Sequence, residues 1–240
     1  MNDNRLVLIT GGALRIGRSL ALTAARAGSD VVIHYNQSQN EAESVRAEIE
    51  TLGRKAILLQ ADLADPAQVD TMIPRILEYG PLYGLVNNAS VFTPLDWESS
   101  RLEDWNHTLM INLTAPFLLS QAFARALRPG EKGRIINLLD WRALRPGPDH
   151  LPYTISKSAL AALTQSLAIA LAPQINVNGL ALGAILPPGD GNKTPNILDK
   201  VPAGRWASLE EVGQALNFLL DGPAYVTGEI LYVDGGRHLL

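Results

Sequence analysis

Asp140, Tyr153 and Lys157 lie close together in the chain, and each carries a group that can hold or move a proton. Asp140 ends the apolar run Arg134-Ile135-Ile136-Asn137-Leu138-Leu139, which reads as a buried strand with the carboxylate at its carboxyl end. Tyr153 and Lys157 are spaced so that on a helix they share one face. A phenol, an ammonium and a carboxyl converging at the mouth of a sheet suit a reaction that delivers a proton to a heteroatom while a neighbouring carbon is reduced. A free phenol has a pKa of about 10, and a nearby ammonium is expected to lower it by favouring the phenolate. Asn112 interrupts the apolar Met110-Ile111-Asn112-Leu113. A buried amide left unpaired costs roughly 1–3 kcal/mol, so it must have partners.

The elements that position these groups follow from hydrophobic spacing. Leu6 to Ile9 reads as a short buried strand, Ile16 to Ala27 as a helix, Asp30 to Tyr35 as a strand and Asn40 to Leu52 as an amphipathic helix. Lys55 to Gln60 is a third strand, and Pro66 to Tyr79 a helix with Asp65 as N-cap. Tyr83 to Asn87 is a strand, Leu102 to Leu127 one long helix stopped by Pro129-Gly130, and Arg134 to Leu139 a strand. Tyr153 to Leu171 is a second long helix, Ile175 to Ala181 a strand, Leu209 to Leu220 a helix and Glu229 to Val233 a last strand. The Pro/Gly-rich stretch from Leu182 to about Pro202 is long enough to be a lid. Alternating strands and helices predict an α/β fold with a parallel sheet covered on both faces. Ligands of such sheets bind beyond the carboxyl ends of the strands, near the reversal of strand order. Asp140, Asn88 and the glycine turn after the first strand all fall at such ends.

That turn, Thr10-Gly11-Gly12-Ala13-Leu14-Arg15-Ile16-Gly17, joins strand to helix. Its glycines permit a tight turn and close backbone approach, and the helix N-terminus favours an anion such as a dinucleotide pyrophosphate. Dinucleotide sites commonly place a carboxylate after the second strand for the ribose hydroxyls. Here the strand ends His34-Tyr35-Asn36-Gln37-Ser38, with no carboxylate. A 2′-phosphate would not be repelled there, and Arg15, Asn36, Gln37 and Ser38 could hydrogen-bond it, which favours NADP over NAD. Asp62-Leu63 after the third strand could set a carboxylate near an adenine amino group; Asp62 could equally cap the next segment.

Composition narrows the classes. With 240 residues, 47% hydrophobic and 18% charged, the chain can bury one sizeable α/β core. A net charge of −4 gives no footprint for nucleic acid. The absence of cysteine removes disulfides, thiolate chemistry and Cys-ligated metal, and no metal site is expected. The first apolar run is too short for a signal segment, and no stretch approaches the roughly 18 apolar residues of a membrane span. The expectation is a cytoplasmic protein with no membrane partner.

The chain resembles the short-chain dehydrogenase/reductase family over essentially its whole length. The resemblance is carried by Thr10-Gly11-x-x-x-Arg15-x-Gly17, Asn87-Asn88-Ala89, Asn112 and Tyr153-x-x-x-Lys157. It implies a single NADP-binding domain over residues 1–240, built on a Rossmann-type, doubly wound parallel sheet of about seven strands with helices on both faces. The implied NADPH contacts are Gly11, Arg15, Ile16 and Gly17 in the turn, and Tyr35, Asn36, Gln37 and Ser38 after the second strand. Further contacts are Asp62 and Leu63, then Asn88, Ala89 and Ser90, with Tyr153, Lys157 and Gly183 towards the nicotinamide. Asp140, Tyr153, Lys157 and Asn112 form the implied catalytic set: Lys157 holds the nicotinamide ribose, and Asn112 shapes the active-site helix and binds a water linking Lys157 to solvent.

Two departures narrow the match. Arg15 replaces the family's middle glycine, and Asp140 replaces its usual serine. Both are similar to the pteridine reductase branch, including bacterial dihydromonapterin reductases. Asn88-Ala89-Ser90-Val91-Phe92 resembles that branch's segment carrying a pterin-stacking aromatic, and His34-Tyr35-x-x-Ser38 its NADP-phosphate segment. The C-terminal Val233-Asp234-Gly235-Gly236-Arg237-His238-Leu239 also fits. Leu182-Gly183 departs from the usual Pro-Gly pair. The implied activity is NADPH-dependent reduction of a dihydropterin (dihydromonapterin, dihydrobiopterin or dihydrofolate) held by Arg15, Ser90, Phe92, Asp140 and Tyr153. Phe92 would cover one face of the pterin and the nicotinamide the other, with Trp97, Trp141 and Trp206 around the opening. A carboxylate accepts hydrogen bonds only, unless its pKa is raised; that suits a pterin's amino and ring N–H groups better than a ketone oxygen. The family's habit implies a homotetramer, with the small-residue face Ala159, Ala162, Ser166 and Ala170 permitting close helix approach. Two other readings stand beside this one: a carbonyl reductase acting on an unrelated ketone, and a catalytically silent NADP-binding module.

Overall fold

The computed structural model describes residues 5–186 and 197–240. Its strands are β1 (Leu6–Ile9), β2 (Asp30–Tyr35), β3 (Ala56–Gln60), β4 (Leu82–Asn87), β5 (Gly133–Asp140), β6 (Ile175–Leu182) and β7 (Ile230–Val233). Its helices are α1 (Arg15–Arg26), α2 (Gln39–Thr51), α3 (Pro66–Leu77), α4 (Leu102–Leu109), α5 (Ala115–Ala126), α6 (Leu151–Leu171) and α7 (Leu209–Asp221). The strands form one seven-stranded sheet in the order β3-β2-β1-β4-β5-β6-β7, and every pairing is parallel. This is the α/β, Rossmann-like architecture expected, with helices on both faces. The order reverses between β1 and β4, which opens a crevice beyond their carboxyl ends.

Each face of the sheet has its own core, because successive strand residues point to opposite sides. Val7, Ile9, Val31 and Ile33 pack with Leu20 and Ala24 of α1, Val45 and Ile49 of α2 and Leu216 of α7. Leu8, Val32, Leu85 and Ile135 pack with Met72 and Ile73 of α3 and Leu119 and Phe123 of α5. All four residues of β1 are buried, as continuous apolar strands require when both faces are covered. Asp65 caps α3 as expected, its carboxylate accepting from the Ala67 N–H at 2.9 Å.

The structure differs from the sequence expectations in three places. Leu102 to Leu127 is not one helix: α4 and α5 are separated by a π-helical turn, Met110–Thr114. Pro116 has no N–H to give the carbonyl of Asn112 four residues earlier, so the α-helical pattern cannot continue and the chain widens there. Second, α6 has the length and mean hydropathy to cross a membrane, contrary to the expectation that no stretch comes near it. It lies along β5 and β6 and buries Leu160, Ala161 and Ala168 beside Tyr153, Ser156 and Lys157. Third, β5 runs on to Asp140 and α6 starts at Leu151, so a short loop with one 3-10 turn, Trp141–Ala143, joins them. The expected lid falls largely on residues 187–196, which lie outside those described; beyond them Val201 is buried, and the Ala203 N–H donates to Gly235 at 3.0 Å.

Candidate active site

The crevice floor is the glycine turn, stitched to the end of β4. The Thr10 hydroxyl oxygen accepts from the N–H groups of Asn88 at 2.9 Å and Ala89 at 3.0 Å. The Asn88 side-chain amide donates back to the carbonyls of Thr10 at 2.8 Å and Gly11 at 3.2 Å. Gly11 turns with φ of 61°, and Arg15, standing where the resembled family has glycine, keeps a left-handed φ of 50°. A non-glycine residue in that conformation costs roughly 1–2 kcal/mol. Gly17 answers to a different constraint: a Cβ there would lie 2.0 Å from the Gly11 carbonyl oxygen and 2.7 Å from the Asn88 amide nitrogen. Gly17→Ala is therefore expected to push the turn apart at a cost of about 1–3 kcal/mol. At roughly 2–4 °C per kcal/mol for a chain of this size, a thermal melt reads it directly, and an unchanged Tm would contradict the stated packing.

These features fit a dinucleotide. The residue preceding α1, Leu14, offers no side-chain cap, and the first turn of the helix carries no acidic residue. A helix N-terminus of that kind favours an anion. The adjoining crevice, about 180 Å³, is lined by Arg15, Ile16, Asn88 and Ser90 on one side and by Asp140, Tyr153, Lys157 and Gly183 on the other. Gly183 is set by close approach, since a Cβ there would meet the Asp234 Cα at 2.6 Å.

His34, which the sequence reading passed over except as part of a segment, ties the turn to the next strand. Its Nδ1 accepts from the Gly11 N–H at 3.0 Å. Its Nε2 must then carry the proton, which faces the Ala61 carbonyl at 3.1 Å. Burial lowers its pKa from 6.5 to about 4, with the Ala61 contact and Asp62 acting weakly against that shift. A folded-state pKa below the ordinary one gives stability that is complete above pH 6.5 and is lost as the pH falls towards 4. The amount is roughly 3 kcal/mol, at about 1.4 kcal/mol per tenfold. Denaturant titrations should show a loss of this order across that window, and His34→Gln should lack the same pH slope whatever its absolute stability. Parallel pH profiles would exclude the role. The sequence signal was a polar side chain inside the otherwise apolar Val31-Val32-Ile33-His34.

Asp140, Tyr153 and Lys157 are brought together. The Tyr153 hydroxyl donates to one carboxylate oxygen of Asp140 at 3.1 Å. The other carboxylate oxygen accepts from the Arg142 N–H at 2.8 Å, capping the turn after β5. The capping role and the site role thus belong to two oxygens of one group. Burial raises the Asp140 pKa, against the Arg142 N–H, Tyr153, and the charges of Arg142 and Lys157. Lys157 is buried, donates to the Leu138 carbonyl at 2.8 Å, and has its pKa lowered by burial from 10.5 to about 8. The expectation that Lys157 lowers the Tyr153 pKa is corrected. Burial first, and then the Asp140 charge, push that pKa well above 10, so the phenol keeps its proton in the free protein.

Asn112 has its partners. Its amide clasps both backbone groups of Val91, accepting at 2.9 Å and donating at 3.0 Å, and donates to the Ser156 hydroxyl at 3.0 Å. Ser156 in turn donates to the Tyr153 carbonyl at 2.7 Å. One buried amide therefore joins the loop bearing Ser90 and Phe92 to the helix bearing Tyr153 and Lys157.

Other expected residues are more dispersed. The side chains of Tyr35 and Leu63 are buried in the two cores, which leaves only their backbone for a ligand. Asn36 and Gln37 are exposed and Ser38 half-buried beyond β2, while Asp62 accepts from the Ala64 N–H at 2.9 Å, the local capping alternative. Phe92 lies edge-on to Tyr153, ring centres 4.6 Å apart, but one of its faces is already covered: His150 stacks on it at 3.9 Å. His150 was missed from the sequence; it takes φ of 52° just before α6, and its Nδ1 donates to the Thr93 carbonyl at 3.0 Å. Trp97 is largely exposed, and Trp141 instead meets Arg142 and Arg237.

Comparison with known proteins agrees with this fold. The family model described as Enoyl-(Acyl carrier protein) reductase matches residues 12–238. A 3-oxoacyl-[acyl-carrier-protein] reductase from Synechocystis sp. is 34% identical, covering 97% of this chain and 96% of its own. The crystal structure of the FolM alternative dihydrofolate reductase 1 from Brucella canis, complexed with NADP, superposes with a TM-score of 0.91 at 34% identity, over 98% of this chain and 95% of its own. A short chain dehydrogenase from Burkholderia cenocepacia in complex with NADP gives 0.91 at 36% identity, over 98% of each chain.

Proposed function

The chain belongs to the short-chain dehydrogenase/reductase family, and on that premise we propose that it is an NADPH-dependent reductase of dihydropterins, converting them to the tetrahydro form. The observation that carries the reading is the hydrogen bond from Tyr153 to a half-buried Asp140 where the family usually has serine. The Brucella and Burkholderia structures are complexes with NADP, and the crevice here has a glycine turn, a helix N-terminus with no side-chain cap and a carboxylate-free end of β2. Bound there, NADPH supplies the hydride.

The residues supply the rest. Tyr153 holds a proton that burial and Asp140 keep on its oxygen, ready for the ring nitrogen beside the reduced carbon. Asp140, with one oxygen on Arg142, keeps the other for Tyr153 and for the amino and ring N–H donors of a pterin. Lys157 and Asn112 fix the helix and loop on either side. Phe92 offers the pterin the ring face that His150 does not cover. The exposed small residues Ala162, Ser166 and Ala170 on α6 support assembly as a homotetramer.

The likeness to a 3-oxoacyl-[acyl-carrier-protein] reductase favours a second reading, a ketone reductase. Steady-state assays with NADPH separate the two. Turnover of dihydromonapterin, dihydrobiopterin or dihydrofolate is expected, and brisk turnover of a 3-oxoacyl thioester with none of any dihydropterin would reject the proposal. Repeating the assay with NADH tests the cofactor.

A further inference from the structure

One cation beside the residue that follows Asp140 has no part in the chemistry above. Trp141 follows Asp140 directly, and the Arg237 guanidinium lies 4.0 Å from the centre of its ring, with that of Arg142 at 5.3 Å. Arg142 is neutralised by Asp149 at 2.6 Å. Arg237 has no ion-pair partner among the described residues, and its Nε is buried without an acceptor. Three carboxylates act on its charge, Asp140, Asp234 and Asp149; Asp149 is taken by Arg142, and Asp234 is spent on its own turn, accepting from the N–H groups of Gly236 at 3.0 Å and His238 at 2.7 Å and pairing with the His238 ring at 2.8 Å.

We propose that Arg237, held on Trp141 beside the catalytic Asp140, receives a carboxylate on the substrate's side chain, so that the enzyme favours dihydropterins with an anionic tail, the dihydrofolate class, over those with a neutral polyhydroxy tail. This rests on the dihydropterin reading and extends it from the ring to the tail. Three observations support it. The C-terminal segment is already pinned without the guanidinium, by the Asp234–His238 pair, by the stack of His238 on Tyr232 and by Arg145 donating to the Leu240 carbonyl at 2.7 Å. The charge is therefore not needed to hold the tail of the chain. Burial, followed by the charge of Arg142, lowers the Arg237 pKa against the charges of Asp140, Asp234 and Asp149, and among the described residues no carboxylate hydrogen-bonds the guanidinium as a counter-ion. The cofactor's phosphates are not that counter-ion, because Trp141 follows β5 and Arg237 follows β7, whereas the phosphate-binding turn follows β1, across the sheet. A planar, permanently charged guanidinium matches a carboxylate in two parallel hydrogen bonds.

The test is steady-state kinetics of Arg237→Met and Arg237→Lys with dihydrofolate and with dihydromonapterin, both under saturating NADPH. Arg237→Met keeps the apolar contact with Trp141 and removes the charge. Its KM for dihydrofolate is expected to rise about 10- to 100-fold with kcat preserved, while its KM for dihydromonapterin stays within about twofold. Arg237→Lys should recover part of the loss. Equal changes for both substrates would assign Arg237 a structural role and overturn the proposal, as would no change for either. If wild type turns over dihydromonapterin without this selectivity in the variant, the tail subsite alone falls. If wild type turns over neither substrate, the dihydropterin reading falls and takes the subsite with it.

Discussion

Tyr153→Phe is expected to lower kcat for dihydropterin reduction by about 10²- to 10⁴-fold and to change NADPH affinity far less. The substitution removes one oxygen and little else. The ring keeps its edge contact with Phe92, and the glycine turn and Lys157 are not touched. What disappears is the only hydroxyl donating to the Asp140 carboxylate among the described residues, and with it the proton poised for the substrate. Burial and the Asp140 charge hold the Tyr153 pKa well above 10, so the free wild-type protein keeps that proton in place before the reaction begins. The stability cost should be small, about 1 kcal/mol for a buried hydrogen bond, read as a Tm change of roughly 2–4 °C. A nucleotide titration and a melt, run beside the kinetics, separate loss of the donor from loss of the fold. Retention of more than about a tenth of kcat would move the proton donor elsewhere.

The fold was legible in the sequence because the strands read as short apolar runs bounded by turns, and most helices show one apolar stripe, α6 being the exception. The Val31-Val32-Ile33 run and the Asp65-Pro66 start are examples in which local signal and tertiary place agree. Asp140, Tyr153 and Lys157 were legible because strand end and helix spacing place them relative to one another without any long-range information. What stayed hidden depends on contacts distant in sequence. The π-turn at Asn112 follows from Pro116 and from partners on Val91 and Ser156, none of which alters the hydrophobic period of Leu102 to Leu127. His34 was a strand residue until Gly11 and Ala61 closed on its two nitrogens. His150 covers a face of Phe92 because the β4–α4 loop folds back onto the start of α6, where the Leu151 N–H donates to Leu95 at 2.6 Å. The direction of the Tyr153 pKa was misjudged for a similar reason. A helix wheel displays Lys157 but shows neither how fully the phenol is buried nor that its hydroxyl donates to a carboxylate.

Asp140→Ser and Asp140→Asn test the substrate assignment from two sides. Asp140→Ser restores the family's usual hydroxyl, which can donate to a ketone oxygen but cannot hold a pterin's N–H donors as a carboxylate does. It is expected to lower kcat/KM for dihydropterins by about 100-fold, with no matching loss on a ketone substrate. Equal turnover of dihydropterins by wild type and Asp140→Ser would remove Asp140 from the substrate site. Asp140→Asn keeps the shape and can still accept from the Arg142 N–H, but it has no charge. Here stability and activity should part. A carboxyl whose pKa is raised on folding supports the fold below its ordinary range and works against it as the pH rises through the raised value. At pH 7 the wild-type protein carries that cost at the mouth of its crevice, so Asp140→Asn should melt no lower than wild type. The difference between the two should shrink as the pH falls towards about 4, where the free carboxyl also takes up its proton. An Asp140→Asn protein that is inactive on dihydropterins yet at least as stable at neutral pH is what a carboxylate kept for chemistry would leave behind. A variant that loses both together would make Asp140 a structural cap of the turn after β5.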